Sequence, residues 1–182
     1  MRSIQGYVIV SADGMLADAN GVMPDSIKND ADQRFFQSGL DAAAVVVHGR
    51  HSYEGGPHAP RRKRLVVTRQ IATLEPDPSR PHATLWNPLG ATLDEALAAI
   101  GVKDGIVAVI GGPGVFSLFL PLYDRFHLSR AAKAKIPGGL GVFTEVGPNA
   151  TPQDVLRRHG LKPGSRRELD AAAGVSEVTW ER

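Results

Sequence analysis

The chain has 182 residues, 42% hydrophobic and 22% charged, with 20 glycines, 13 prolines and no cysteine, a composition that suits one globular domain. The missing cysteines exclude disulfides, iron–sulfur clusters, cysteine-ligated zinc and thiol catalysis, and they fit a reducing, cytoplasmic setting. With 21 Lys and Arg against 19 Asp and Glu the formal charge is only +2, too thin for a nucleic-acid field, and no apolar run reaches the roughly 18 residues of a membrane span.

Taken in chain order, residues 1–6 lead into a short apolar run at 7–10 that Ser11, Ala12 and Asp13 break, which reads as a first strand and not a signal peptide. Residues 30–40 place Phe35, Phe36, Gly39 and Leu40 on one side at helical spacing, predicting a connecting helix. Continuous apolar runs at 42–48 and 65–68 read as buried strands. The stretch 75–88 carries prolines at 76, 78, 81 and 88 and reads as a surface loop, since neither flanking half is large enough to fold alone. A helix at 92–100 precedes a fourth strand at 105–110, a further helix opens at Pro113 and ends at Pro121, and 125–129 is the next strand. Residues 161–169 and 175–181 flank a glycine-containing loop and predict an antiparallel hairpin. Strands alternating with helices predict an α/β fold over a single domain, 1–182. Its central sheet is mostly parallel with helices on both faces, and the hairpin is laid at its C-terminal end.

Three strand ends carry groups suited to anions. Gly49-Arg50-His51-Ser52 follows the strand at 42–48 and leads into an expected helix start, where backbone N–H groups, a hydroxyl and two basic side chains would suit a phosphate; a loop with solvated charges is the alternative. Gly111, Gly112 and Gly114 around Pro113 leave the backbone open to close approach at another helix start, with tight helix–strand packing as the alternative. This is only part of a dinucleotide fingerprint, and the acidic residue expected about 20 positions on is missing, which disfavours a conventional Rossmann domain. Thr68 and Arg69 end a third strand with a hydroxyl and a guanidinium. Parallel sheets bind ligands outside this carboxyl edge. Arg61-Arg62-Lys63-Arg64 reads first as a solvated basic loop. The six histidines lack metal-ligand spacing, His127 reads as a structural strand residue, and no nucleophile elbow occurs.

In order, the first strand with Ser11 to Ala17, the helix around Asp32 and Phe36, Gly49 to Glu54, Leu65 to Arg69, and Ile110 to Pro121 resemble the dihydrofolate reductase-like superfamily. Within it the chain is similar to the riboflavin-biosynthesis reductase domain, the C-terminal domain of the bacterial bifunctional deaminase-reductase. The resemblance implies the three-layer fold of that superfamily and NADPH as hydride donor. It puts Gly49, Arg50, His51 and Ser52 near the cofactor phosphates, Thr68 and Arg69 near the adenosine 2′-phosphate, and Ile9 by the nicotinamide. Gly111 and Gly112 match its paired glycines, and Gly114, Val115 and Phe116 the following helix start; many dihydrofolate reductases carry arginine where Gly114 stands. It also implies a pocket acid on the first helix with an aromatic residue four positions later, a spacing that Asp32 and Phe36 have. Asp30 competes, because Met23-Pro24 sets a register that favours it. Arg62 aligns with the arginine that binds an acidic substrate tail. The implied activity is hydride transfer to a ribosylaminopyrimidine phosphate, with dihydrofolate or another pterin-like substrate second, and the implied assembly is a homodimer. No metal, nucleic acid or membrane is implied. A non-catalytic nucleotide-binding module is the reading from another class.

Overall fold

The computed structural model describes residues 1–182. In chain order its elements are β1 (Arg2–Ser11), β2 (Met15–Ala17), α1 (Asp30–Asp41), β3 (Ala43–Gly49), β4 (Arg64–Val67), β5 (Leu74–Pro76), β6 (Ala83–Trp86) and α2 (Leu93–Ala99). They continue as β7 (Gly105–Val109), α3 (Pro113–Leu118), β8 (Arg125–Ala131), β9 (Leu140–Gly141), α4 (Pro152–Arg158), β10 (Lys162–Asp170) and β11 (Val175–Glu181). Nine strands form one sheet in the order β10-β11-β8-β1-β7-β3-β4-β6-β5, and β2 pairs with β9 in a separate ribbon. The six strands from β8 to β6 are mutually parallel, while β10, β11 and β5 run antiparallel to their neighbours. This is the mixed α/β architecture expected from the alternation of elements.

The inner strands β3 and β7 are rich in β-branched residues because helices cover both of their faces: Val45, Val46 and Val47 of β3 and Val107 and Val109 of β7 are at most 1% exposed. Helices start where polar caps meet the apolar period. Asn29 accepts from the Asp32 amide at 3.0 Å to open α1, and Thr92 with Glu95 forms a capping box on α2, contributing about 1 kcal/mol each. Two glycines allow close layering beside the future site. A Cβ at Gly6 would fall 2.4 Å from the Phe126 ring, and one at Gly39 of α1 would fall 2.5 Å from the Tyr7 ring of β1. Neither a strand crossing that aromatic nor a helix lying on Tyr7 tolerates a side chain there.

The stretch 75–88 departs from the expected loop. It completes β5 and carries all of β6, which pairs in parallel with β4, and Ala83 and Trp86 are buried. Its prolines mislead because Pro76 ends an edge strand, where no ladder N–H is needed, and Pro78 and Pro81 lie in the turn before β6. No helix follows Gly49; the chain continues as turn and irregular backbone to residue 58. The helix α4, opened by a Thr151–Asp154 capping box, is an element that the periodicity did not reveal. The basic run is not a solvated loop either. Arg62 and Arg64 are 8% and 1% exposed, and Arg64 begins β4.

Candidate functional site

A cleft of about 290 Å³ opens between α1 and the sheet near the carboxyl ends of β1, β7 and β8. Strand register builds its floor. Ile9, Ser129 and Glu177 are successive partners across β1, β8 and β11, and Tyr7, His127 and Thr179 form the next row on the same face. Side chains in register share a face of the sheet, so polar residues far apart in sequence converge beneath α1. From above, α1 contributes Asp32, Phe35 and Phe36 to the cleft wall. Of the two aspartates at the helix start, Asp32 is 7% exposed and lines the cleft, whereas Asp30 faces solvent.

Burial pushes the Asp32 carboxyl above the ordinary aspartate range; the Ser129 hydroxyl works against this and the Glu177 charge adds to it. An acid so held can keep its proton until a reacting base arrives. The Tyr7 hydroxyl donates to Gln5 Oε1 at 3.0 Å, His127 Nε2 meets the same oxygen at 3.0 Å, and the imidazole stacks on the Tyr7 ring with 4.4 Å between centroids. His127 therefore belongs to the cleft, not to the structural background. Alternating polar residues on apolar strands, Gln5 with Tyr7, His127 with Ser129, and Glu177 with Thr179, are the sequence signal that would have found this floor.

The glycine turn after β7 borders the cleft. Gly49 N–H donates to Gly111 O at 2.8 Å, Gly111 has φ +116, and the Gly111–Gly112 peptide is cis. A Cβ on Gly111 would sit 3.0 Å from the Phe116 ring, and one on Gly112 would sit 3.5 Å from the Ser52 hydroxyl. Glycine is therefore required at 111 by both backbone and neighbour. Ile9, Ser52, Gly112 and Phe116 line the cleft. Val115 is buried against Gly49, and a Cβ at Gly114 would meet open space.

A second cavity of about 340 Å³ lies outside the ends of β3 and β4, lined by Arg50, Thr68, Gln70, Asp77, Ser79 and Arg80 among others. Arg80 reaches it from the turn between β5 and β6, with its guanidinium 4.4 Å from the centre of the Tyr53 ring, while Arg64 stacks on that ring at 4.5 Å. Tyr53 itself lines the first cleft, so its contact with Arg80 joins that cleft to the lining of the second cavity. Arg69 and His51 are exposed and line neither. Arg80 had no sequence signal beyond a basic residue in a proline-rich turn.

Arg62 is also away from the cleft. Its guanidinium donates to Glu54 at 3.0 Å, Gln37 at 2.8 Å and Asp41 at 2.7 Å, so its charge is matched inside the protein. Glu54 is gripped from the other side by Arg64, which also donates to Ala59 O at 2.6 Å. Burial works to raise the Glu54 carboxyl, but these two arginines outweigh it and hold it below the usual range. No group of three or more His, Asp or Glu side chains is arranged to hold a metal ion. No helix is long and apolar enough to cross a membrane.

No protein-family model and no curated protein matches this chain. Solved structures do. A structure described as a riboflavin biosynthesis protein from Shewanella sp. PV-4 superposes with a TM-score of 0.66 at 19% identity, over 99% of this chain and 98% of that one. Dihydrofolate reductase from Enterococcus faecalis, complexed with NADP(H) and RAB-propyl, gives 0.66 at 18% identity over 99% and 96%. A Thermotoga maritima diaminohydroxyphosphoribosylaminopyrimidine deaminase/5-amino-6-(5-phosphoribosylamino)uracil reductase gives 0.66 at 16% identity over 99% of this chain and 56% of that one. The chain has the dihydrofolate reductase-like fold.

Proposed function

We propose that the protein is an NADPH-dependent reductase that moves a hydride to a C=N or equivalent carbon of a pyrimidine- or pterin-like substrate. The observation that carries this reading is the pairing of two spaces linked by the contact between Arg80 and Tyr53. One is an aromatic-walled cleft with a single buried acid on α1, and the other is a cavity with two arginines and two hydroxyls. A dihydrofolate reductase of the same fold is complexed with NADP(H), and the residues of this chain fit such a cofactor. Arg50, Arg80, Thr68 and Ser79 would hold a phosphate in the second cavity, and the bare backbone at Gly112 and Gly114 admits a close ligand. NADPH when bound supplies the hydride.

The chain's own residues do the rest. Phe35 and Phe36 offer flat apolar surface to a heteroaromatic ring, and Ile9, Leu16 and Met23 exclude water from it. Asp32 orients the ring through its carboxyl and keeps a proton available at its buried oxygen. Ser129 lines the same cleft from the floor and favours the ionised form of that carboxyl, opposing the effect of burial.

Among substrates we favour a ribosylaminopyrimidine phosphate, because two solved proteins of this fold are described by riboflavin-pathway names. A second reading, dihydrofolate or another pterin, is favoured by the placement of Asp32 and Phe36, four residues apart on α1, on one wall of the cleft. The first test is titration with NADPH and NADH followed by Trp86 and Trp180 fluorescence and thermal shift, then turnover with each substrate. NADPH-selective binding with turnover of one of them is the expected result. Binding without turnover of either leaves a nucleotide-binding module, and no binding by both readouts refutes the reductase reading.

A further inference from the structure

Behind the cleft floor sits a buried acid that the proposed reaction does not use. Glu177 of β11 is 1% exposed; its Oε1 accepts from the Thr179 hydroxyl at 2.6 Å and faces His127 Nδ1 at 3.3 Å. His127 is its only basic side-chain contact. It reaches the cleft by two routes. Register sets it beside Ser129, which lines the same cleft as Asp32, and its contact with His127 continues through the imidazole to Gln5 and Tyr7.

We propose that Glu177 is a positioning residue of the cleft, acting on Asp32 through its buried carboxylate and on Tyr7 through His127. The proposal rests on the reading of Asp32 as the group that holds the cleft's proton. A carboxylate in a poorly solvated setting disfavours a second negative charge nearby, so a neighbouring acid keeps its proton to higher pH. Two cleft groups feel this one charge. It adds to the upward push that burial gives Asp32, and for Tyr7 it adds to burial against the opposing Arg125. The other charged or titratable groups around Asp32 are His127 on β8, Tyr7 on β1, Asp30 and Arg34 on its own helix, and Asp170 of β10, which accepts from the Asn29 cap of that helix. Arg167 of β10 stacks over Phe35 at 5.5 Å, and Glu54 is already matched by Arg62 and Arg64. None of these places a second buried carboxylate in register with Ser129.

The test is the titration of carboxyl-labelled aspartate and ring-labelled tyrosine by NMR in the ligand-free protein, with the Asp32 signal identified by its loss in Asp32→Asn and the Tyr7 signal by its loss in Tyr7→Phe. In the parent, Asp32 gives up its proton above the ordinary aspartate range. Glu177→Gln lowers that midpoint by on the order of one pH unit and lowers the Tyr7 phenol with it, whereas Glu177→Asp, which keeps the charge, leaves both near the parent values. An unmoved Asp32 in Glu177→Gln, or equal shifts in Gln and Asp variants, overturns the proposal. If Glu177→Gln does not fold, Glu177→Ser supplies the neutral residue instead; the Asp32 midpoint again falls, and an unmoved or raised midpoint overturns the proposal. Neither measurement needs cofactor or turnover, so failure here is distinct from failure of the reductase reading.

Discussion

Glu54→Gln tests how the site is held. The Glu54 side chain is buried and joins Arg62 and Arg64, whose side chains are 7% and 1% exposed. Removing its charge strands Arg64, whose other contacts are Ala59 O, His48 Nε2 and the Tyr53 ring, none of them anionic. Arg62 keeps Asp41. Breaking a buried pair by deleting one partner costs about 3–5 kcal/mol, and the surviving Asp41 contact sets the expectation at the lower end, about 3 kcal/mol. For a chain of this size that is a fall in Tm of roughly 6–12 °C. Urea and thermal unfolding followed by tryptophan fluorescence measure it. The sign with pH also follows. The folded carboxyl lies below its ordinary value of 4.5, so its contribution is fully present above that pH and disappears as the pH falls through the depressed folded value. The gap between parent and variant is therefore wide at neutral pH and closes on acidification. A loss under about 1 kcal/mol at pH 7, or a gap that widens in acid, refutes the ion-pair account.

Three further outcomes are expected. Asp32→Asn abolishes turnover while NADPH affinity stays within about twofold; because the raised carboxyl penalises the folded state above its own titration, the variant also gains stability at neutral pH and not in acid, as paired unfolding curves at the two pH values will read. Arg80→Ala weakens NADPH on the order of tenfold and spares NADH, whereas Arg69→Ala changes neither, as competitive titration will read; equal effects of the two substitutions would return the cation role to Arg69. Gly111→Ala, forced to φ +116 with its methyl 3.0 Å from Phe116, loses about 1–3 kcal/mol of stability in urea unfolding, and an unchanged midpoint would mean the turn relaxes freely.

Features that depend on neighbours in the chain are legible in the sequence alone. The valine runs of β3 and β7, the face of α1, the proline and glycines around 111–114 and the terminal hairpin are all short-range patterns, because side-chain period and turn chemistry act over a few residues. Their order along the chain also carries the fold resemblance. The strands at 74–76 and 83–86 are hidden because proline density is read locally, while an edge position or a strand end excuses it. Two choices lie beyond local pattern. Asp30 and Asp32 are equally plausible at a helix start, and only the rotation of α1 against β1, set by Tyr7 lying on Gly39, turns one inward. Arg62 and Arg69 look like free cations in sequence; the tertiary structure gives the first to Glu54 and Asp41 and turns the second to solvent, while Arg80 arrives at the cavity from another turn. The polar floor of Tyr7, His127 and Ser129, with Glu177 behind it, is decided in the same way, because strand register, a long-range property, determines which side chains share a face across β1, β8 and β11.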